Sequence, residues 1–335
     1  MTKWVTRIIE GTSLDATTKA KADFARIAHN AAGYRYLDVH RYDRSRETMA
    51  ELGARIEGMT GSIRAGDLVV YQYPSYNGNQ FEVSFAEHLV YRGVQVVLMV
   101  HDYERLRHGI NPGFDEIRHL NLVAGIIAPT VNMRQQMKMD GVTTPIVVQD
   151  CWDYLTDTAF KTEPVQREVV IAGSFVKSNL LSTWNQQTPL IAFGLNNGQQ
   201  PAMNVEYHGA LGASLLEETL PNGFGLAWDT GDDFGAYTRY NNPYKVAMYL
   251  ALGMPVIVWK EAAIAQLVQD NYLGYALSSI SEIDGLISSV SDSEMSRCQL
   301  QVQKFGRLLR RGYFTRRLLL NMEQILTLNP LTITK

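Results

Sequence analysis

Cysteine is scarce in this sequence. Two residues in 335, Cys151 and Cys298, cannot build a disulfide framework, and neither stands in a C-x-x-C that would hold zinc or run thiol redox chemistry. An excess of one charge is missing as well. With 31 Lys and Arg against 34 Asp and Glu, the formal net charge is −3, which leaves no basic footprint for nucleic acid or an anionic membrane. Long apolar runs are absent: the two longest, 94–100 and 249–259, fall short of the roughly 18 residues a membrane span needs. The opening MTKWVTRIIEG is broken by Thr6, Arg7 and Glu10 before a signal-peptide apolar region can form. These absences predict a cytoplasmic chain with no stable membrane insertion and no nucleic-acid partner. Catalytic signatures are missing too. The P-loop spacing at 61–66 is followed by Asp67 where lysine is required. Gly223-Phe224-Gly225 lacks the third glycine of a dinucleotide fingerprint, there is no G-x-S-x-G or H-E-x-x-H, and the seven histidines have no metal-ligand spacing.

What remains is a folded composition, 46% hydrophobic and 19% charged. Its length suggests about two domains. Short runs rich in Val, Ile and Tyr at 3–9, 36–40, 67–72, 94–100, 125–128 and 145–148 read as strands. They alternate with helical spacing at 19–31, 46–58, 80–91 and 131–139. Alternation of this kind predicts an α/β domain with a parallel sheet, and the unbroken VQVVLMV suits a strand buried on both faces. A second α/β block has strand candidates at 168–172, 190–193, 205–208, 225–228 and 255–259, and the pattern is helical after Ser281. The polar stretch 153–167 reads as an interdomain linker. The expected organisation is therefore residues 1–152, residues 153–312, and a C-terminal helix at 313–335 that packs back toward the first domain.

The most informative segment is YNNPYKVAMYLALGMPVIVW at 240–259. Asn241-Asn242-Pro243 is a loop whose proline suits a first helical turn. Lys245, Met248, Tyr249 and Leu252 follow at helical spacing, and Gly253 suits a C-cap before a buried strand. A helix N-terminus with a lysine in its first turn favours a phosphate through the dipole, the backbone N–H groups and a full charge. The pattern P-x-K-x-x-x-Y-x-A-x-G-x-P-V-I resembles the donor-binding helix of GT-B glycosyltransferases. The fuller Y-N-N-P-x-K with G-x-P-V-I-V-W is similar to the bacterial glucosyltransferases that extend GlcNAc on serine-rich-repeat adhesins, together with related galactofuranosyl and exopolysaccharide transferases. Residues 19–24, His101-Asp102, 173–177 and Tyr207-His208-Gly209 extend the likeness along the chain. Met248 stands where many retaining GT-B enzymes carry a ribose-binding glutamate, which separates this sequence from those large families.

The resemblance implies a GT-B fold, two Rossmann-like domains facing each other across a cleft with C-terminal helices. It also implies donor contacts from Thr12, Lys177, Tyr207, Asn242 and Lys245. Each has a plainer alternative: a turn for Thr12, a surface lysine for Lys177, a strand aromatic for Tyr207, a helix N-cap for Asn242 and a solvated helix lysine for Lys245. His101 and Asp102, ending the strand VVLMV, suit a general base for an acceptor hydroxyl, or else a cleft-shaping pair. No two aspartates form a D-x-D, so no metal and no cofactor are expected. The implied activity is transfer of a hexose, glucose first, from a UDP-sugar to a glycan hydroxyl, with GlcNAc on a glycoprotein as acceptor and a homo-oligomer as the working form. The rival readings are a non-catalytic GT-B-fold subunit that binds a glycosylated partner and a UDP-sugar 2-epimerase.

Overall fold

The computed structural model describes residues 1–10, 16–41, 47–176, 178–229 and 232–328. They form two six-stranded sheets, each wholly parallel. The first holds β1 (Lys3–Ile9), β2 (Arg35–His40), β3 (Leu68–Tyr73), β4 (Gln95–Val100), β5 (Gly125–Ala128) and β6 (Ile146–Val148), in the order β2-β1-β3-β4-β5-β6. The second holds β7 (Val169–Ala172), β8 (Leu190–Phe193), β9 (Val205–Tyr207), β10 (Phe224–Ala227), β11 (Val256–Trp259) and β12 (Gly274–Leu277), in the order β12-β11-β10-β7-β8-β9. Every residue of β3, β5, β7, β8 and β10 is buried, so the apolar runs of the sequence are central strands covered on both faces. The fold is the α/β, GT-B class that the sequence implies.

The order of strands matters for function. In open parallel sheets a ligand sits beyond the carboxyl ends of the strands, where the chain order reverses direction. That switch falls between β1 and β3 in the first sheet and between β7 and β10 in the second.

Two compact units follow the sheets. One runs to Gln149 and takes in the C-terminal helix from Phe314 onward; the other is Asp150–Tyr313. The helix Tyr313–Leu328 is bound into the first unit by Glu323, which pairs with Lys3 at 3.1 Å and accepts from the Tyr34 hydroxyl at 2.9 Å. Met322 packs on Gly125 of β5, where a Cβ would lie 2.6 Å from the methionine sulfur.

Two differences from the sequence reading have physical causes. The stretch 153–167 carries no helix or strand, yet it is packed as part of the second unit. Glu217 gathers the hydroxyls of Tyr154, Thr156 and Thr158, and Lys161 N–H donates to Leu252 C=O at 2.8 Å. Threonines that look solvated in sequence are ligands of one buried carboxylate. Strand β12 went unread because GYAL has no apolar run; it is an edge strand, mostly half-buried. Among the described residues no helix is long and apolar enough to cross a membrane.

Candidate functional site

The second switch point is built by the helix Tyr244–Leu252. Pro243 takes the N-cap position with extended backbone, so it precedes the first turn instead of occupying it, and no side chain caps the helix. Gly253 closes it in the left-handed conformation (φ 90°), its N–H donating to the carbonyls of Tyr249 and Leu250, as the C-cap reading requires. Tyr249 then locks the helix to the end of β7: its hydroxyl accepts from Ala172 N–H at 2.7 Å. This fixes the direction of Lys245, whose Nζ lies 3.3 Å from where a Cβ of Gly173 would stand. Nζ also pairs with Asp229, two residues beyond β10, at 3.6 Å. A partly exposed ammonium is thus held over the carboxyl ends of β7 and β10, beside a helix N-terminus. Both features attract a phosphate.

The bed under Lys245 is glycine for a reason. Gly173 and Gly194 lie backbone to backbone, and a Cβ on Gly194 would sit 1.5 Å from the Gly173 carbonyl oxygen. Both have positive φ (157° and 145°). Tyr207, at the end of edge strand β9, donates its hydroxyl to Gly194 C=O at 2.6 Å while its ring packs against the core of the second unit. Its polar end is therefore spent on holding the glycine bed. His208 beside it stacks on Phe193 at 4.8 Å and pairs with Glu206.

Asn242 is buried, and it is not the N-cap. Its Nδ2 donates to Asp150 C=O at 3.1 Å, and its own C=O accepts from Trp152 Nε1 at 2.8 Å. It fastens the entry segment of the second unit to the loop before the helix. Lys177 and Thr12 lie outside the described residues.

The first switch point is organised around Gln72 of β3. Its Nε2 donates to the carbonyls of Thr6 (2.7 Å) and Lys21 (3.0 Å), which turns Oε1 toward His101 Nε2 at 2.9 Å. An amide oxygen can only accept, so His101 carries its proton on Nε2. Burial, helped by the Lys21 charge, holds the imidazole pKa well below 6.5, so the ring is neutral near pH 7. Asp102 turns elsewhere. Its Oδ2 accepts from the Tyr76 hydroxyl at 2.7 Å and pairs with Arg107 at 2.9 Å. Neighbours in sequence, His101 and Asp102 are thus oriented by different partners.

Sequence reasoning passed over Lys21, the centre of this region. It is 1% exposed, donates to Pro74 C=O at 2.6 Å and lies 4.2 Å from the Tyr76 ring centre. Burial lowers its pKa to about 8 against the opposing pull of Glu82, Glu10 and Asp102. Gln72, a polar residue in a strand that is otherwise wholly apolar and aromatic, was the available signal, because a buried amide must be hydrogen-bonded. Beyond Asp102, Arg107 is tied to Asp102 and Tyr76. Near the C-terminus, Arg310 donates to Ala251 C=O at 2.7 Å and covers the Phe160 ring.

Comparison with known proteins agrees with this picture. The N-terminal domain model described as glucosyltransferase 3-like matches residues 2–151, and the corresponding C-terminal domain model matches 169–322. Glucosyltransferase 3 of Streptococcus gordonii is 29% identical over 309 residues, 90% of this chain and 92% of the relative. A beta-1,6-galactofuranosyltransferase of Escherichia coli strain K12 is 27% identical over 262 residues, 75% of this chain and 77% of the relative. Among solved structures, Anabaena HepE in complex with UDP-glucose superposes with a TM-score of 0.63 at 12% identity, over 96% of this chain and 99% of that one. Both halves of the chain match one family and the fold agrees: the protein belongs to the glucosyltransferase 3-like family of glycosyltransferases.

Proposed function

We propose that the protein transfers a hexose, glucose first, from a UDP-sugar to a hydroxyl of a glycan, with GlcNAc on a glycoprotein as the acceptor. The observation that carries this reading is the Lys245 ammonium poised over Gly173 at the second switch point. The donor diphosphate rests there. Lys245 and the helix N-terminus offset the charge that builds on departing UDP, the work a metal does in other transferases, so the reaction needs no metal or other cofactor. Lys177 and Thr12 add donor contacts, Asn242 orders the loop that carries Lys245, and Tyr207 holds the glycine bed. In the transfer, the acceptor oxygen bonds to the anomeric carbon as the bond from that carbon to the β-phosphate oxygen breaks. The electron pair leaves with UDP, and the acceptor proton passes to a base in the first unit. Neutral His101 suits that role, with Asp102 ordering the adjacent loop through Tyr76 and Arg107. The S. gordonii glucosyltransferase and the UDP-glucose complex support the choice of donor.

The test is UDP-sugar turnover on GlcNAc-bearing acceptors, with and without EDTA, and calorimetry of UDP binding. Transfer of glucose that survives EDTA is expected. Failure of wild-type protein to bind UDP or UDP-glucose overturns the reading, and loss of activity in EDTA restored by manganese overturns metal independence. Light scattering of the same sample checks the homo-oligomer, and fractionation checks the cytoplasmic location.

A further inference from the structure

Beside the first switch-point cluster, the first unit holds a double cavity whose lining the transfer reading does not use. One lobe, about 260 Å³, is lined by Asn79, Gln80, Glu87, Phe114, Arg118 and His119 among others. The other, about 590 Å³, runs along residues 104–116 and shares Asn79, Phe114 and Asp115 with the first. These volumes bracket the lower part of the roughly 300–1,000 Å³ span of small-ligand sites. The place is apt. Asn79 opens the helix after β3, and residues 104–116 follow β4, so the cavity begins at the carboxyl ends of two strands, where open α/β sheets bind ligands. Its larger lobe starts at Glu104, two residues from Asp102. Glu116 fixes that wall: its carboxylate accepts from Tyr73 Oη at 2.8 Å and from the N–H groups of Glu104 and Arg105 at 3.1 and 2.8 Å.

The lining has a specific chemistry. His119 is 3% exposed, and neither ring nitrogen has a hydrogen-bond partner. Such a group is costly unless something satisfies it. As a neutral ring it offers one donor and one acceptor, the complement of a hydroxyl, which is also both. Phe114, half-buried and 5.7 Å from the His119 ring centre, divides the lobes and offers an apolar face to the C–H side of a sugar ring. The carboxylates of the lining, four against two arginines, are committed: Glu87 stands 3.9 Å from Arg118, Glu104 3.9 Å from Arg107, Asp115 caps Arg118 N–H and Glu116 is held by Tyr73 and two backbone N–H groups, while Arg105 lies 3.8 Å from Asp140. Charges already paired within the protein do not select an ion. Side-chain amides on Asn79 and Gln80 complete a lining suited to an uncharged polyol.

We propose that this double cavity is a carbohydrate subsite that seats a neutral pyranoside of the acceptor on either side of Phe114, with His119 and Asn79 reading its hydroxyls. The proposal rests on the transferase reading for the word acceptor; binding of the sugar itself does not depend on it.

Saturation-transfer NMR and calorimetry of the full chain with methyl N-acetyl-β-D-glucosaminide test it, with UDP titrated in parallel. Wild type binds the glycoside. Phe114→Ala and Asn79→Ala, the latter at an exposed position where folding is not at stake, weaken that binding about tenfold or more. Both raise the KM for a GlcNAc-bearing acceptor while leaving UDP affinity and kcat at saturating acceptor within about twofold. His119→Gln, which keeps a donor and an acceptor, retains more binding than His119→Ala. Wild type that binds UDP but no glycoside, or variants that bind the glycoside as wild type does, overturns the subsite. Glycoside binding without UDP binding overturns the transferase reading and keeps the subsite.

Discussion

The two switch points share one topology and carry opposite chemistry. At β7/β10 the floor is bare backbone, Gly173 against Gly194, and over it stands a partly exposed lysine on a helix start, paired with Asp229. At β1/β3 the floor is filled: Gln72, His101, Lys21 and Tyr76 interlock, and the buried charges are hydrogen-bonded or paired. The glycine floor leaves room and field for an anion that arrives from solution. The filled floor leaves little room and sets the protonation of an imidazole. In the proposed function one architecture yields a binding end and a proton-handling end, and the difference lies in a few residues after each strand.

The largest effect that would sharpen this contrast is on turnover. His101→Ala should lower kcat about 10²–10⁴-fold while UDP affinity, read by calorimetry, stays within about twofold. Asp102→Asn, which keeps the shape but weakens the pair with Arg107, should lower kcat less. Full turnover in both variants would remove the proton-handling role from the first unit.

Acid should separate the two regions next. The first unit buries imidazoles in their neutral form: His101 is pushed well below 6.5, and burial lowers His119 to about 4. As pH falls through about 6.5 the unfolded chain takes up these protons and the folded one does not, so stability is full above that pH and declines below it. For His119 the window runs from 6.5 down to about 4 and amounts to about 3 kcal/mol. Hydrogen exchange across pH 7 to 4.5 should show the first unit loosening before the second, with a flatter profile in His119→Gln. Simultaneous loosening would break the comparison.

Lys245→Ala should weaken UDP binding by about 1.5–3 kcal/mol, roughly 10- to 150-fold in Kd, with an unchanged melting temperature. Unchanged UDP affinity would overturn the assignment of the glycine floor. The smallest effect belongs to Tyr207→Phe. Losing its bond to Gly194 should cost about 0.5–1.5 kcal/mol and weaken UDP about 2- to 10-fold by loosening the floor, without removing a ligand contact.

The local geometry of the second switch point was legible in the sequence; of the first, His101 and Asp102 were singled out but their partners were not, for reasons of distance along the chain. Loop, lysine, helix, C-cap glycine and buried strand lie within twenty consecutive residues, and each obeys a local rule. Only the proline's place, one position before the first turn, and the partners of Asn242 needed the fold. By contrast, Lys21 meets Pro74 across 53 positions and Gln72 meets His101 across 29. In sequence Lys21 is one lysine in an amphipathic helix, and nothing local marks it as buried. His101 and Asp102, adjacent in the chain, take different partners, Gln72 for one and Tyr76 with Arg107 for the other, which adjacency alone does not tell. Strand positions were legible because burial on both faces leaves continuous apolar runs, and the edge strand β12 escaped for want of one.

The C-terminal helix gives the molecule a particular order of completion. Glu323 closes on Lys3 across 320 positions, so the sheet made first by the ribosome is finished by a helix made after the whole second unit. At about 5–20 residues per second, roughly 10–30 s pass between Gln149 and Phe314. During that interval the nascent first sheet has Lys3, Tyr34 and the Gly125 groove without their partner. The unit whose sheet comes first in the chain is therefore the one completed last, after the whole of the second has been made.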